Sequence, residues 1–242
     1  MTRRTMVILR RIIKHELRLW VPLRAPLARE SSGLNARQRT LSLGYQAGAA
    51  AMDALEAILT RSSVPPVKMG PPGPDDGQLR RILEAGAAAP DHGRLRPWRF
   101  LVVRGVARER LGELFAGAAL AKGGEVSEAE VEKQRSGPLR APVVVTVVAK
   151  VRPDHPKIPP AEQVASAAAA AQNMLIAAHA LGLSAKWTTG KNAHDPAVRD
   201  GMGLGPGDQI VGFLLIGSSV VPHGAAERPP VDDVVVEREG RP

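Results

Sequence analysis

Apolar residues along the chain fall into short unbroken runs separated by stretches with helical spacing. Residues 98–103 and 142–149 are dominated by β-branched, aromatic and aliphatic side chains, which predict buried strands. The run at 142–149 has no polar alternation, so it predicts a strand that is covered on both faces. Two further strands are predicted at 184–188 and 209–216.

The stretches with helical spacing predict a set of helices between these strands. Asp53 can cap a short first helix with Leu55, Ile58 and Leu59 on one apolar face. Residues 161–181 are Ala-rich and largely uncharged, so this helix is expected to be central. The other helices are predicted from Asp75 or Asp76 to Pro90, over 107–121, over 127–136, and from Pro196 onward. The combination predicts an α+β layer architecture.

Charge divides the chain into a basic leader and a nearly neutral body. The net charge is +9, of which residues 1–51 carry +8, with ten Lys or Arg and two acidic residues. A neutral body offers no general field for a phosphate backbone, so no nucleic-acid partner is expected. We predict three parts: a basic extension over 1–51 that is disordered or partly helical, a single domain over 52–237, and a tail over 238–242.

The extension has more than one interpretation. Residues 5–21 fit a basic helix on an anionic membrane surface, and they also fit an organelle-targeting presequence. The simplest interpretation is that Met52 is the functional start and the extension is dispensable. A protein in which the extension drives membrane-surface or nucleic-acid contact, with the body as scaffold, is one alternative function.

Several kinds of chemistry are excluded by the residues. The chain contains no Cys, so it has no disulfide, no thiolate nucleophile and no Cys-ligated metal, and a cytoplasmic location fits best. No apolar run approaches the roughly 18 residues of a spanning helix, so no transmembrane segment is expected. The His residues lack ligand spacing, so no metal site is expected. The glycines of 201–207 follow a helix and precede a strand, which indicates a helix end and a turn instead of a dinucleotide-binding loop.

Several short motifs occur in a specific order along the body. They are Met52–Glu56 (MDALE), Ala89–His92 (APDH), Pro97–Phe100 (PWRF), Ala141-Pro142 leading into VVVTVVAK, Trp187–Gly190 (WTTG), and Ile210–Phe213 (IVGF) running to Ile216-Gly217. In this order and spacing the sequence resembles the nitroreductase family of flavin mononucleotide (FMN) enzymes over about residues 52–237. It is most similar to the YdjA-like branch of small bacterial NAD(P)H nitroreductases.

The resemblance implies a fold, a reaction and a partner. It implies a nitroreductase-like fold in which helices flank a central mixed sheet and FMN lies at a homodimer interface. It implies an oxidoreductase that passes a hydride from NAD(P)H through flavin N5 to a nitroaromatic or quinone-like acceptor with ping-pong kinetics. No side chain is expected to act as a general acid or base.

The resemblance also implies cofactor contacts at specific positions. They are Arg61, Ser62 and Ser63; Ala88 and His92; Trp187, Thr188 and Thr189; and Ala177, Ala178, His179, Ala180, Leu181 and Gly182. The first and third groups would contact the flavin or its phosphate, the second would approach the FMN held mainly by the partner subunit, and the last would contact the nicotinamide cofactor. Each group has a structural alternative: a helix-end cation for Arg61, a core residue for Trp187, and helix packing for the alanines.

The sequence departs from the family pattern at several of these positions. Ser62, Ala88 and Thr188 stand where the branch often carries arginine, so three cations are missing, and Arg96 stands where Gln is usual. Arg94 and Arg96 are nearby candidates to replace them. The departures leave a second alternative function, a flavin-binding or flavin-sequestering relative with little turnover.

Overall fold

The computed structural model describes residues 52–122, 125–221, 224 and 226–238. Within them lie six α-helices: α1 (Ala54–Thr60), α2 (Asp76–Ala87), α3 (Ala107–Ala121), α4 (Glu128–Ser136), α5 (Pro160–Ala180) and α6 (Pro196–Gly201). The strands are β1 (Met69–Gly70), β2 (Trp98–Arg104), β3 (Val143–Lys150), β4 (Ser184–Thr188) and β5 (Asp208–Ser219). Short 3₁₀ turns cover Pro66–Lys68, His92–Arg94, Gly137–Arg140, Lys191–His194 and Val231–Asp233. The predicted extension over 1–51 and residues 239–242 of the predicted tail lie outside the described residues.

The strands form one sheet in the order β1-β5-β3-β2, and β4 also pairs with β5. Every pairing between the described strands is antiparallel. The predicted α+β architecture is confirmed, but the described strands form an antiparallel sheet and not the mixed sheet that the resemblance implies. Burial on both faces is typical of parallel strands yet does not determine direction, which depends on how each connection returns the chain to the sheet.

Helices cover both faces of the sheet. On one face, α3 and α6 pack against alternate residues of the central strands through Phe115, Val198 and Met202. On the other face, α2 and α5 do so through Ile82 and Met174. The burial of seven consecutive residues of β3 and the central position of α5 confirm both sequence predictions. Among the described residues, none of the helices combines the length and the hydropathy that a membrane-spanning helix requires.

The helix starts and ends follow the capping signals in the sequence. Asp53 accepts hydrogen bonds from the backbone N–H groups of Leu55 (2.9 Å) and Glu56 (3.4 Å) at the start of α1. Asp75, and not Asp76, caps α2, because its side chain and that of Gln78 form a reciprocal capping box. These polar side chains determine where the two helices begin.

The glycine-rich segment 201–207 is a helix end followed by a turn, as predicted. The backbone N–H of Leu204 donates to the Arg199 carbonyl (3.1 Å), and Gly203 adopts a left-handed conformation with φ of +69°. This hydrogen bond satisfies a carbonyl group at the end of α6, and β5 begins directly after the turn.

The apolar face of α1 is not covered by the rest of the described chain. Ala57 is buried against the body, whereas the side chains of Leu55, Ile58 and Leu59 are 68%, 45% and 66% exposed. A helix this short is stabilised mainly by packing, so an uncovered apolar face indicates a surface that another chain can cover.

Removing residues 1–51 is expected to leave the fold of the body unchanged. The two clusters of buried apolar residues, one on each face of the sheet, are built from residues between Val64 and Ile216. The body therefore supplies its own buried apolar surface. A thermal melt of the truncated chain should give a midpoint within about 3 °C of the full-length protein, the effect of a change of roughly 1 kcal/mol or less. A larger fall in the midpoint would show that the extension belongs to the fold.

Candidate functional site

Two of the predicted groups, residues 61–63 and the end of α5, meet where α1 ends beside the last turn of α5 and the beginning of β4. Thr60 Oγ1 lies 2.8 Å from His179 Nε2, which joins the end of α1 to the last turn of α5. The backbone N–H of Val64 donates to the Ala185 carbonyl (3.3 Å), which fastens the following segment to β4. Residues 61–63 therefore lie between the C-terminal end of α5 and β4.

Arg61 carries a guanidinium in this region, which we call the Arg61 corner: residues 61–63 together with the last turn of α5 and the beginning of β4. Its side chain is half-buried, and its Nε atom is buried with no hydrogen-bond partner among the described residues. A second guanidinium lies beside it, because Arg228 Nη2 donates to the Arg61 carbonyl oxygen (2.6 Å). Burial, and after it the positive charge of Arg228, lowers the pKa of the Arg61 guanidinium below its usual value.

The arrangement around Arg61 fits an anionic ligand. In the described part of the chain, no carboxylate forms an ion pair with either Arg61 or Arg228. Two adjacent cations and a buried donor without an acceptor are costly unless an anion satisfies them. Ser62 is half-buried and Ser63 is exposed, and their hydroxyls lie directly after Arg61 in the chain. These residues supply the donors that a phosphate group requires.

The end of β4 carries Trp187 and Thr188, and Thr189 follows directly. Trp187 Nε1 donates to the Val211 carbonyl (3.2 Å), and Thr188 Oγ1 donates to the Phe213 carbonyl (3.4 Å), so both side chains are fastened to β5. Thr189 is exposed, and its hydroxyl makes no hydrogen bond within the described residues. Thr189 therefore presents a hydroxyl that a ligand can use, whereas Trp187 has a structural contact.

A glycine on β5 makes room for Trp187. A Cβ atom added at Gly212 would lie 2.0 Å from Trp187 Nε1 and 2.5 Å from Trp187 Cδ1. Contacts this short do not occur between unbonded atoms, so any side chain at this position would displace the indole ring. The observed position of Trp187 therefore requires glycine at position 212.

Residues 177–182 form the end of α5. The N–H of Gly182 donates to the His179 carbonyl (2.9 Å) and that of Leu183 donates to the Ala178 carbonyl (2.9 Å), which is a Schellman motif. Ala178 is fully buried, and Gly182 takes the left-handed conformation, with φ of +75°. These residues shape the corner beside Arg61, and their contact with a nicotinamide cofactor stays a prediction.

Ala88 and His92 belong to a separate region. Ala88 is an exposed residue at the end of α2, and His92 Nδ1 lies 2.7 Å from Glu162 Oε2 in the first turn of α5. The loop that joins α2 to β2 is tightly turned. Arg94 and Arg96 both have positive φ, and the Asp91 carboxylate accepts a hydrogen bond from the Arg96 N–H (2.5 Å). Such backbone strain in non-glycine residues is typical of functional segments.

Within one protomer, His92 and Arg61 lie far apart, at opposite ends of α5. His92 contacts Glu162 at the beginning of α5, whereas the Arg61 corner contacts His179 at its end. These two positions on the helix are about 26 Å apart along its axis. Arg94 and Arg96 lie on the His92 loop, so within one protomer they do not replace the cations missing around Arg61.

A cavity of about 360 Å³ lies beyond the end of β4. Its lining comes from the first turns of α5 and α6, the Lys191–His194 turn and the beginning of β5, and it contains none of the predicted site residues. The lining residues are Val164, Ala193, His194, Asp195, Pro196, Arg199, Asp208, Gln209, Ile210 and Val211. Asp195 is held there by Lys122 Nζ at 2.8 Å. No group of three or more described His, Asp and Glu side chains is arranged to hold a metal ion.

The described residues form an α+β domain with two neighbouring arginine side chains, Arg61 and Arg228, at one corner. Residues 58–218 match the Nitroreductase family, and this chain belongs to that family. It is 40% identical over 167 residues to the Escherichia coli K12 protein named "Putative NAD(P)H nitroreductase YdjA", and the match covers 69% of this chain and 88% of the relative. The resemblance seen in the sequence motifs is confirmed.

Solved structures show the same fold. A nitroreductase-like family protein from Bacillus cereus superposes with a TM-score of 0.66 at 24% identity, covering 78% of this chain and 97% of the other. A nitroreductase with bound FMN from Bacteroides fragilis superposes with a TM-score of 0.59 at 25% identity, covering 77% of this chain and 99% of the other. The nitroreductase-like fold predicted from the sequence is therefore confirmed.

Proposed function

We propose that this protein is an FMN-dependent oxidoreductase that carries electrons from NAD(P)H to a nitroaromatic or quinone-like acceptor. The observation that carries the proposal is the half-buried Arg61 guanidinium, whose Nε has no partner among the described residues, with Arg228 adjacent, at a position where the family resemblance implies a cofactor contact. The name of the Escherichia coli relative and the FMN of the Bacteroides fragilis structure support it.

Each region of the site has a role in this proposal. FMN, when bound, supplies the group that NAD(P)H reduces and the acceptor reoxidises, and NAD(P)H and the acceptor take turns in a ping-pong sequence. Arg61, Ser62 and Ser63 hold the phosphate and ribityl end. Thr189 and the backbone after β4 contact the ring edge, at the end of a strand that Trp187 fastens to β5. No side chain of the chain needs to act as an acid or base.

We further propose that the working unit is a homodimer. The uncovered face of α1 provides an apolar surface beside the Arg61 corner, and the occupant that we propose is a second copy of this chain. Because His92 lies about 26 Å from that corner along α5 in its own protomer, a second copy is needed to bring a His92 loop to the cofactor. The contact between subunits therefore completes the site.

Purified protein is expected to be yellow and to release FMN on denaturation. NADH or NADPH added without oxygen should bleach the flavin absorbance, and a quinone should restore it, while light scattering should give twice the mass of one chain. A colourless protein that takes up no added FMN would contradict the proposal. A flavin that neither cofactor reduces would favour the flavin-sequestering alternative.

A further inference from the structure

We propose that Gln163 is a positioning residue for the His92 loop, residues 88–97 between α2 and β2, and that it acts through the segment 151–159, which joins β3 to α5. The proposal rests on the function proposed above, in which a His92 loop contacts the cofactor. Gln163 is the fourth residue of α5 and is fully buried. A buried amide is costly unless it is hydrogen-bonded, so the partners of Gln163 show what it holds in place.

The first argument is that the Gln163 amide closes the 151–159 segment into a loop. Its Oε1 atom accepts from the backbone N–H of Arg152 (2.8 Å), and its Nε2 atom donates to the carbonyl groups of Arg152 (3.0 Å) and Ile158 (2.8 Å). Within the loop, His155 Nδ1 accepts from the backbone N–H of Ile158 (3.0 Å). One side chain therefore holds both ends of the segment against the beginning of α5.

The second argument is that the closed segment contacts the His92 loop. Ile158 is buried, and a Cβ atom added at Gly93 would lie 3.0 Å from Ile158 Cδ1, so the Gly93 backbone packs directly on this side chain. Gly93 follows His92 in the chain and has a left-handed conformation, with φ of +65°. Since Gln163 holds the carbonyl group of Ile158, it determines the surface on which the His92 loop rests.

The third argument compares this contact with the other contact that holds His92. Glu162 Oε2 lies 2.7 Å from His92 Nδ1, but about half of each of these side chains is exposed to solvent. A solvent-exposed ion pair contributes little to holding a loop, whereas hydrogen bonds and apolar packing in a buried region hold it firmly. We therefore assign the position of the His92 loop to Gln163 and Ile158 and not to Glu162.

The first experiment measures whether Gln163 holds the segment closed. Gln163→Met keeps a long side chain but removes the amide. Lys157 is an exposed residue of the segment, so trypsin cuts after it when the segment opens locally. We expect trypsin to cut full-length Gln163→Met after Lys157 at least about fivefold faster than the wild type. The control Val103→Ala truncates a fully buried side chain on the α3 side of the sheet, and it should be cut there at about the wild-type rate.

The second experiment measures whether the effect reaches FMN through His92. FMN is titrated into flavin-free full-length wild type, Gln163→Met, His92→Ala, the double variant and Val103→Ala. We expect Gln163→Met to weaken FMN binding about tenfold in the wild type and less than about twofold in the His92→Ala protein, because residues that act through one another are not additive. A side chain that only stabilised the fold would have the same effect in both backgrounds.

Ile158→Ala provides a second route to the same comparison. It leaves the Gln163 amide in place but removes the side chain on which Gly93 packs, so it should weaken FMN binding about threefold, again only when His92 is present. If Gln163→Met does not fold, Ile158→Ala with and without His92→Ala decides the question.

Three results would overturn the proposal. They are a Gln163→Met protein that binds FMN as tightly as Val103→Ala does, a loss of affinity that is equal with and without His92, and a segment that trypsin cuts no faster than in Val103→Ala. Each of these leaves the proposed function standing, whereas a wild-type protein that binds no FMN overturns the proposed function itself.

Discussion

Replacing Gly212 with alanine is expected to lower the free energy of unfolding by about 2–4 kcal/mol. The added Cβ atom would lie 2.0 Å from Trp187 Nε1 and 3.1 Å from the Thr188 carbonyl oxygen, so the indole must leave its place. The cost combines overpacking with the loss of the hydrogen bond from Trp187 to the Val211 carbonyl. In a thermal melt, the midpoint should fall by roughly 5–15 °C.

The matched control for this variant is Gly137→Ala. Gly137 has a negative φ of −50°, and no atom lies within 4 Å of the position that a Cβ would take. Alanine there should leave the midpoint unchanged or raise it slightly, because it restricts the unfolded chain. If the two variants melt alike, Trp187 is not fixed by close contact with Gly212.

Local sequence signals were sufficient to predict the positions of the helices and strands. The helix predicted over 107–121 is α3 with the same bounds, and the run predicted at 142–149 is β3 shifted by one residue. Capping side chains and unbroken β-branched runs act within a few residues, so they can be identified from the sequence. Strand direction could not be predicted in this way, because it depends on connections between distant segments, and the expected mixed sheet is antiparallel.

The candidate site could be predicted only in part. Arg61 was a candidate because the family resemblance implies a cofactor contact at this position, directly after a helix that the sequence predicts. Arg228 was not, because its contact with Arg61 joins residues 167 positions apart and no local pattern marks it. The separation of His92 from Arg61 could not be predicted either, since it follows from the length and packing of α5.

Replacing Arg61 with alanine is expected to weaken FMN binding by up to about a hundredfold. The variant removes a charge-assisted contact with the phosphate, worth roughly 1.5–3 kcal/mol. Arg61→Lys keeps the charge but loses the planar fork, so it should recover only part of the affinity. Titration of FMN into flavin-free wild type and both variants measures the effect, and unchanged affinity would return Arg61 to the role of a helix-end cation.

The difference in melting midpoint between Arg61→Ala and the wild type should depend on whether FMN is bound. Burial and the charge of Arg228 both lower the pKa of the Arg61 guanidinium, which means that the folded protein disfavours its charged form. Without a bound anion, removing the guanidinium removes that cost, and it also removes the buried Nε atom that has no hydrogen-bond partner among the described residues. The melting midpoint should therefore stay the same or rise. With saturating FMN, the wild type gains more stability than the variant, because it binds the ligand more tightly. A flavin-free variant that melts well below the wild type would instead assign Arg61 to holding the fold.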